Sequence, residues 1–204
     1  MQHTWLGLRD RLEVTATAWY CAELAERSLE ERHAALPVYL LLRHAYELLD
    51  AGMAAARVAR WFEMRLCEEL GVRPEVDRCV ECDRLLGPDD AVRWVPALGG
   101  ALCADHPGPS AVAAGLSTEA LKVLKAYQRM DVEALSGLRL PPAVEREVED
   151  RLGAFVRYVM ERDTRSRRFL EEVRSGYGAS AVPPKPRPLR ADGAPAATPG
   201  GGFR

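Results

Sequence analysis

The sequence predicts a mainly α protein: a helical bundle interrupted once by a small inserted module that carries a short β-hairpin. Three observations carry that prediction. Apolar residues recur at helical spacing through residues 6–70 and again from 117 onward. Between these runs stand two short pairs, Cys79-Val-Glu-Cys82 and Cys103-Ala-Asp-His106, with twenty residues between them. Pro74 on one side and Pro107-Gly-Pro109 on the other bracket that stretch with residues that stop helices.

The elements follow in order. From Leu6 to about Ser28 the positions Leu8, Leu12, Thr15/Ala16, Trp19 and Ala22/Glu23 repeat at helical spacing without a proline, which predicts a long amphipathic helix. Pro37 fits the first turn of a second helix, which presents Leu40, Tyr46 and Leu49 inward, runs to about Asp50 and ends at Gly52. A third, Met53 to Leu70, sets Val58, Phe62, Leu66 and Leu70 in one stripe and is capped by Gly71. After the module, Ser117 and Glu119 open a helix to about Met130 with Leu121, Leu124 and Tyr127 inward. Pro141-Pro142 opens the last, where Val144, Val148, Leu152, Phe155, Val156 and Val159 form the apolar face. Glu145, Arg146, Glu147, Glu149 and Arg151 read as its solvated face. The expected organisation is a first bundle half over 4–73, the module over 74–109, a second bundle half over 110–174, and a Pro/Gly/Ala-rich disordered tail over 175–204.

The two Cys-x-x pairs match a zinc ribbon. Each pair bends around one side of a metal, and the residues between them form the hairpin that brings the pairs together. Ala91 to Val95, with Val92 and Trp94 alternating against their neighbours, is the outgoing strand. Gly99-Gly100 permits the turn back to Leu102-Cys103, and Gly87-Pro88-Asp89-Asp90 turns the chain after the first pair. The expected donors are Cys79, Cys82, Cys103 and His106 around one structural Zn2+: three thiolates and one imidazole fill four positions and leave no place for an activated water. Two alternatives stand beside this set. The residues are unconnected thiols and a surface histidine, or His106 faces solvent and Asp105 or a water completes the shell. A redox Cys-x-x-Cys lacks the surrounding βαβ pattern. Cys21 and Cys67, inside helical patterns, read as small buried apolar residues of a reducing compartment.

The composition is that of an ordinary globular protein. The chain has 204 residues, 48% apolar and 28% charged, and a formal charge of −2, so there is no global pull toward nucleic acid or membrane. No apolar run is long enough to cross a bilayer and Met1 to Trp5 has no signal core, which leads to a cytoplasmic expectation. There is no nucleophile beside a base and no glycine-rich phosphate loop. His3, His33 and His44 stand alone, so an enzyme is not expected. Arg162 to Arg168 holds four arginines beside Phe169-Leu170, either a phosphate-contacting patch or a solvated helix start paired with Glu161, Glu171 and Glu172.

Trp61-Phe-Glu-Met-Arg-Leu66, Leu70-Gly-Val-Arg-Pro74, Arg78-Cys-Val-Glu-Cys82 and Gly99-Gly-Ala-Leu-Cys103 occur in that order, and together they resemble the centre of the RecO family of DNA repair proteins. Leu6-Gly-Leu-Arg-Asp10 resembles the start of that family's helical domain, and Ser166-Arg-Arg-Phe-Leu170 its closing helix. The likeness covers roughly residues 4–173. It implies a non-catalytic, nucleoid-associated recombination mediator that binds single- and double-stranded DNA and anneals strands coated by single-strand-binding protein. It further implies work with RecR to load RecA, and a helical-domain pocket for the acidic C-terminal tail of single-strand-binding protein; neither a membrane nor a small-molecule substrate is implied. Two departures stand out. His106 takes the place of the family's fourth cysteine. The family begins with an OB-fold domain, and no run of short alternating strands precedes Leu6; a fragment, a start codon placed downstream and a shortened paralogue all give this form. The cations expected to meet DNA are Arg57, Arg60 and Arg65 on the third helix, Arg73, Arg78 and Arg84 around the first pair, and Arg165, Arg167 and Arg168. A solubilising surface role is the other reading of each. A helical adaptor whose zinc module serves only a protein interface is the competing function.

Overall fold

The computed structural model describes residues 5–9, 11–30, 35–106, 108, 113–135 and 137–160. A 3-10 turn, Gly7–Arg9, leads into α1 (Leu12–Glu30), α2 (Ala35–Asp50) and α3 (Ala55–Glu69). The module contributes β1 (Val92–Val95), a 3-10 turn at Pro96–Leu98 and β2 (Gly100–Cys103). β3 (Ala114–Leu116), α4 (Thr118–Arg129), α5 (Val132–Leu135) and α6 (Pro142–Val159) follow. The protein is therefore mainly α, with one small antiparallel sheet of strand order β2-β1-β3.

The helix ends obey local chemistry. Gly52 and Gly71 both take positive φ, at 87° and 73°. Around each, the next two N–H groups fold back: Gly52 to the Leu49 carbonyl and Met53 to Leu48, and likewise Gly71 to Glu68 and Val72 to Cys67. These paired bonds satisfy carbonyls the helix would otherwise leave open. Ser117 caps α4 through its hydroxyl, which accepts the Ala120 N–H at 3.1 Å. Pro142 begins α6, where its missing N–H costs nothing.

α3 is the centre of the body, packed against α1, α2, α4, α5 and α6. Val58, Phe62, Met64, Leu66 and Cys67 are all at most 1% exposed. Several expectations need correcting. The chain at Gly7–Arg9 is a separate 3-10 turn, held by the Gly7 N–H to Asp50 Oδ1 at 2.7 Å, so the first helix starts at Leu12. Its deepest face is Val14, Thr17, Tyr20, Cys21, Leu24 and Ser28, with Trp19 only half-buried; the small Thr17, Cys21 and Ser28 let α1 approach its neighbours closely around Tyr20 and Leu24. On α2 the core residues are Val38, Ala45, Leu48 and Leu49, and Leu40 is 41% exposed.

The module's hairpin pairs Val92 with Cys103 and Val95 with Gly100. The sheet is larger than the expected hairpin, because Ala114–Leu116 adds to the free edge of β1, with Val92 opposite Leu116. Trp94, 1% exposed, pins the sheet to α6 by donating its indole N–H to the Arg151 carbonyl at 2.8 Å and packing against Phe155 with ring centroids 5.9 Å apart. The supposedly solvated face of α6 is partly structural. Glu147 accepts the Ser117 N–H and hydroxyl at 2.7 and 2.6 Å, and Arg151 Nε reaches the Gly115 carbonyl at 2.9 Å. Sheet and helices share one continuous apolar core. Among the described residues no helix is long and apolar enough to cross a membrane. His44 packs against Trp61 at 5.2 Å, while His3, His33, Arg165, Arg167, Arg168 and the 175–204 tail lie outside the described residues.

Candidate metal centre

The first knuckle is built by a left-handed residue. Asp83 sits at φ 59°, which lets its N–H return to the Cys79 carbonyl at 2.9 Å while the Cys79 N–H reaches the Arg84 carbonyl at 2.8 Å. Arg78 and Leu85 form a bridge that closes this turn at its base. A second bridge, Glu75 with Gly100, ties the knuckle to the hairpin: the Glu75 N–H donates to Gly99 at 2.9 Å and the Ala101 N–H to Glu75 at 2.8 Å. Gly100 is required there, because a Cβ would meet the Glu75 carbonyl oxygen at 2.2 Å. The Val80 N–H also donates to the Ala101 carbonyl, at 3.0 Å, so Cys79 is set beside β2 and its partner Cys103.

The donor atoms of Cys79, Cys82, Cys103 and His106 all lie within 4.8 Å of one another. Cys82 Sγ is 3.9 Å from Cys103 Sγ, and His106 Nδ1 is 3.2 Å from Cys103 Sγ and 3.8 Å from Cys79 Sγ. A tetrahedral metal with bonds of ~2.3 Å to sulfur and ~2.0–2.1 Å to nitrogen sets those edges at about 3.8 and 3.6 Å. The donor set therefore fits a tetrahedral metal ion, with His106 Nδ1 placed as the candidate fourth donor. Asp105, its side chain 74% exposed, has its carboxylate 3.9 Å from Cys103 Sγ and 3.7 Å from Arg84.

The thiols show why such a site wants a cation. At Cys79 burial acts to raise the pKa, but the N–H groups of Cys103, Cys82 and Glu81 outweigh it and hold the thiol below its ordinary value. The Cys103 N–H itself lies 3.4 Å from Cys79 Sγ. At Cys103 burial again acts to raise, and the Asp105 N–H with the Cys79 and Arg84 side chains prevails in lowering it. Cys82 behaves differently. The Arg84 N–H acts to lower it, but burial and the Cys79 and Cys103 sulfurs together push it up. The surroundings thus ease the loss of a proton at Cys79 and Cys103 and oppose it at Cys82, and a positive ion among the three would favour the charged form of all of them. Cys21 and Cys67 are unlike these: both are buried, and burial drives Cys21 far up and Cys67 up to about 12, so both are packing residues.

The described arginines that the sequence singles out are scattered and engaged. Arg60 corrects the surface expectation outright: it is 4% exposed, 2.9 Å from Glu63 and 3.4 Å from Glu149, and Glu63 also accepts the Tyr20 hydroxyl. Arg57 donates to the Leu138 carbonyl at 2.6 Å and Arg65 pairs with Glu68 at 2.7 Å. Arg73 lies 3.5 Å from Glu68, and Arg78 pairs with Asp83 at 3.2 Å. Arg84 pairs with Asp90 at 3.1 Å and its guanidinium borders Cys103, which places it in the wall of the metal centre. Sequence reasoning missed the basic edge of α4, where Lys125 and Arg129 meet Asp77 at 3.4 and 2.6 Å. The spacing of Lys122, Lys125 and Arg129 along one helical stripe was the available signal. An apolar groove with Leu36, Leu40, Leu41, Trp61 and Val132 in its walls runs beside α2 and α3, with Arg65, Glu69 and Asp131 among its lining residues.

The profile of the family described as "Recombination protein O C terminal" matches residues 9–168. A protein named DNA repair protein RecO from Roseiflexus sp. (strain RS-1) is 36% identical over 167 residues, 82% of this chain and 59% of the relative. Its namesake from Anaeromyxobacter sp. (strain Fw109-5) is 37% identical over 169 residues, 82% of this chain and 65% of the relative. That of Moorella thermoacetica is 31% identical over 173 residues, 85% and 64%. The chain thus spans about three fifths of the length of these relatives. With the profile covering most of its described helices, the whole sheet and the four-donor cluster, the chain belongs to the RecO family, matched through that family's C-terminal region.

Proposed function

We propose that this chain serves in DNA repair as the helical, zinc-bearing part of a RecO-type recombination mediator, and that it acts by binding rather than by bond-breaking. The observation that carries the reading is the Cys79–Cys82–Cys103–His106 cluster inside the RecO-matching region. Four protein donors complete a tetrahedral sphere, so Zn2+ held here would lock the sheet's shape and supply no activated water. The proposed role is to bring strands together: cations offset phosphate repulsion while a protein contact displaces the single-strand-binding protein. The groove beside Trp61 is our candidate seat for that protein's C-terminal tail, with its apolar residues on the floor and a carboxylate reaching Arg65.

Arg165, Arg167 and Arg168 are the proposed phosphate contacts. Their simultaneous reversal to glutamate is tested by fluorescence anisotropy with a labelled single-stranded oligonucleotide across a salt series. Weakened binding with a shallower salt slope supports the reading, and unchanged affinity at low salt removes the patch. A second reading has one observation in its favour. Arg57, Arg60, Arg65, Arg73, Arg78 and Arg84 all meet a carboxylate or a backbone carbonyl, as an adaptor that contacts only proteins would allow. Oligonucleotide binding by the chain alone favours the mediator; binding only when RecR is added favours the adaptor.

A further inference from the structure

The donors of the metal centre are not equally anchored. Cys79 and Cys103 are buried, and Cys103 ends a strand paired along its length with β1. His106 lies three residues past that strand in a turn whose own backbone contact, the His106 N–H to the Cys103 carbonyl, is a long 3.3 Å. A further hold on the turn comes from across the sheet. Arg93, on the central strand with Leu102 opposite on one side and Gly115 on the other, extends its guanidinium to the carbonyls of this turn. Nη2 donates to the His106 carbonyl and lies 3.5 Å from that of Ala104.

We propose that Arg93 is a positioning residue of the metal centre: by holding the Ala104 and His106 carbonyls it aims the His106 imidazole into the donor set. Pairing on both sides of β1 fixes where its stem starts. Nη2 of the guanidinium then serves two acceptors of one turn, with the closer bond to the His106 carbonyl. Charge works in the same direction. Three thiolates around a dication leave a net charge of −1, and a guanidinium on the turn beside them favours the loaded state. Arg84 closes the other flank through Asp90 and Asp105, at 3.1 and 3.7 Å. The inference rests on reading the four residues as metal ligands.

The test compares wild type, R93M, R93K and H106A, with folding followed by near-ultraviolet circular dichroism, Zn2+ affinity by chelator competition and donor type by the visible spectrum of the Co2+ form. R93M should lose about 10–100-fold in Zn2+ affinity, the usual effect of removing a group that orients a ligand, and its Co2+ spectrum should lose the nitrogen contribution as H106A does. R93K should lose less. In the H106A background R93M should add only a small further loss, because the orienting part of its action passes through that ligand and the charge alone remains. A folded R93M with wild-type affinity overturns the proposal, and so does a full additional loss on top of H106A. If R93M does not fold, R93A takes its place, and wild-type affinity there is equally fatal. Failure of the wild type itself to bind Zn2+ or Co2+ refutes the metal-ligand reading instead.

Discussion

Replacing Gly100 with alanine tests how the knuckle is joined to the hairpin. The new Cβ would sit 2.2 Å from the Glu75 carbonyl oxygen, 2.7 Å from its nitrogen and 2.9 Å from its carbonyl carbon, all backbone atoms with no rotamer to escape into. The backbone at Gly100 is also at φ 150°, where a side chain is strained. Relief requires parting the Glu75–Gly100 bridge, which loses two hydrogen bonds of 2.9 and 2.8 Å. At about 0.5–1.5 kcal/mol each, plus about 1 kcal/mol of residual strain, the cost is about 2–4 kcal/mol. For a chain of this size that lowers the melting temperature by about 4–16 °C. Gly115→Ala is the matched control, since its Cβ would meet nothing within 4 Å. Thermal unfolding of both variants by circular dichroism, with Zn2+ present, makes the comparison. A Gly100→Ala protein that melts with the control would show that the close approach does not hold the two halves of the module together.

Other expectations follow from the same structure. Trp94→Ala removes a side chain 1% exposed and its bond to Arg151, and should cost about 3–5 kcal/mol in urea unfolding; a loss under 1 kcal/mol would mean that the sheet does not depend on α6. Glu63→Gln takes a charge from the buried group of Arg60, Glu149 and Tyr20 and should cost about 3 kcal/mol, and a neutral result would contradict the pairing. Burial acts to raise the Asp77 pKa, but the Arg129 and Lys125 partners prevail and hold it below 3.8. Its folded pKa is depressed, so its stabilisation is present above pH 3.8 and is lost as pH falls through the folded value. The stability gap between wild type and Asp77→Asn should therefore be widest near neutrality and close below pH 3.8; a gap constant with pH would refute the pairing. In native metal-free protein iodoacetamide should label exposed Cys82 and spare buried Cys21 and Cys67, with Zn2+ protecting Cys82, read by mass spectrometry of peptides.

What the sequence makes legible is what depends on neighbours along the chain. Gly52, Gly71, Ser117 and Pro142 mark helix ends because capping is decided within a few residues, and the structure uses each of them that way. The four donors are readable for the same reason: each knuckle is a local turn, and one hairpin joins the two. Ala114–Leu116 is not readable, because Ala-Gly-Leu has little strand preference and becomes a strand only by adding to β1, some twenty residues back. The face of α1 is hidden by its own smallness: Thr17, Cys21 and Ser28 carry close packing but little hydrophobic signal. Leu40 has the opposite fault, apolar in sequence yet 41% exposed on the groove. Arg60 reads as surface charge until Glu63, three residues on, and Glu149, on another helix, are placed beside it. Arg93 gives no signal at all, since it acts through main-chain carbonyls of residues it does not neighbour.

Metal analysis of the purified protein by inductively coupled plasma mass spectrometry, paired with a melting curve before and after chelation, bears most directly on the centre that organises this molecule. One zinc per chain is expected in wild type, absent in Cys103→Ser, with chelation lowering the melting temperature of wild type alone. A chain without stoichiometric metal, whose melting temperature ignores both the chelator and the Cys103→Ser change, would contradict it.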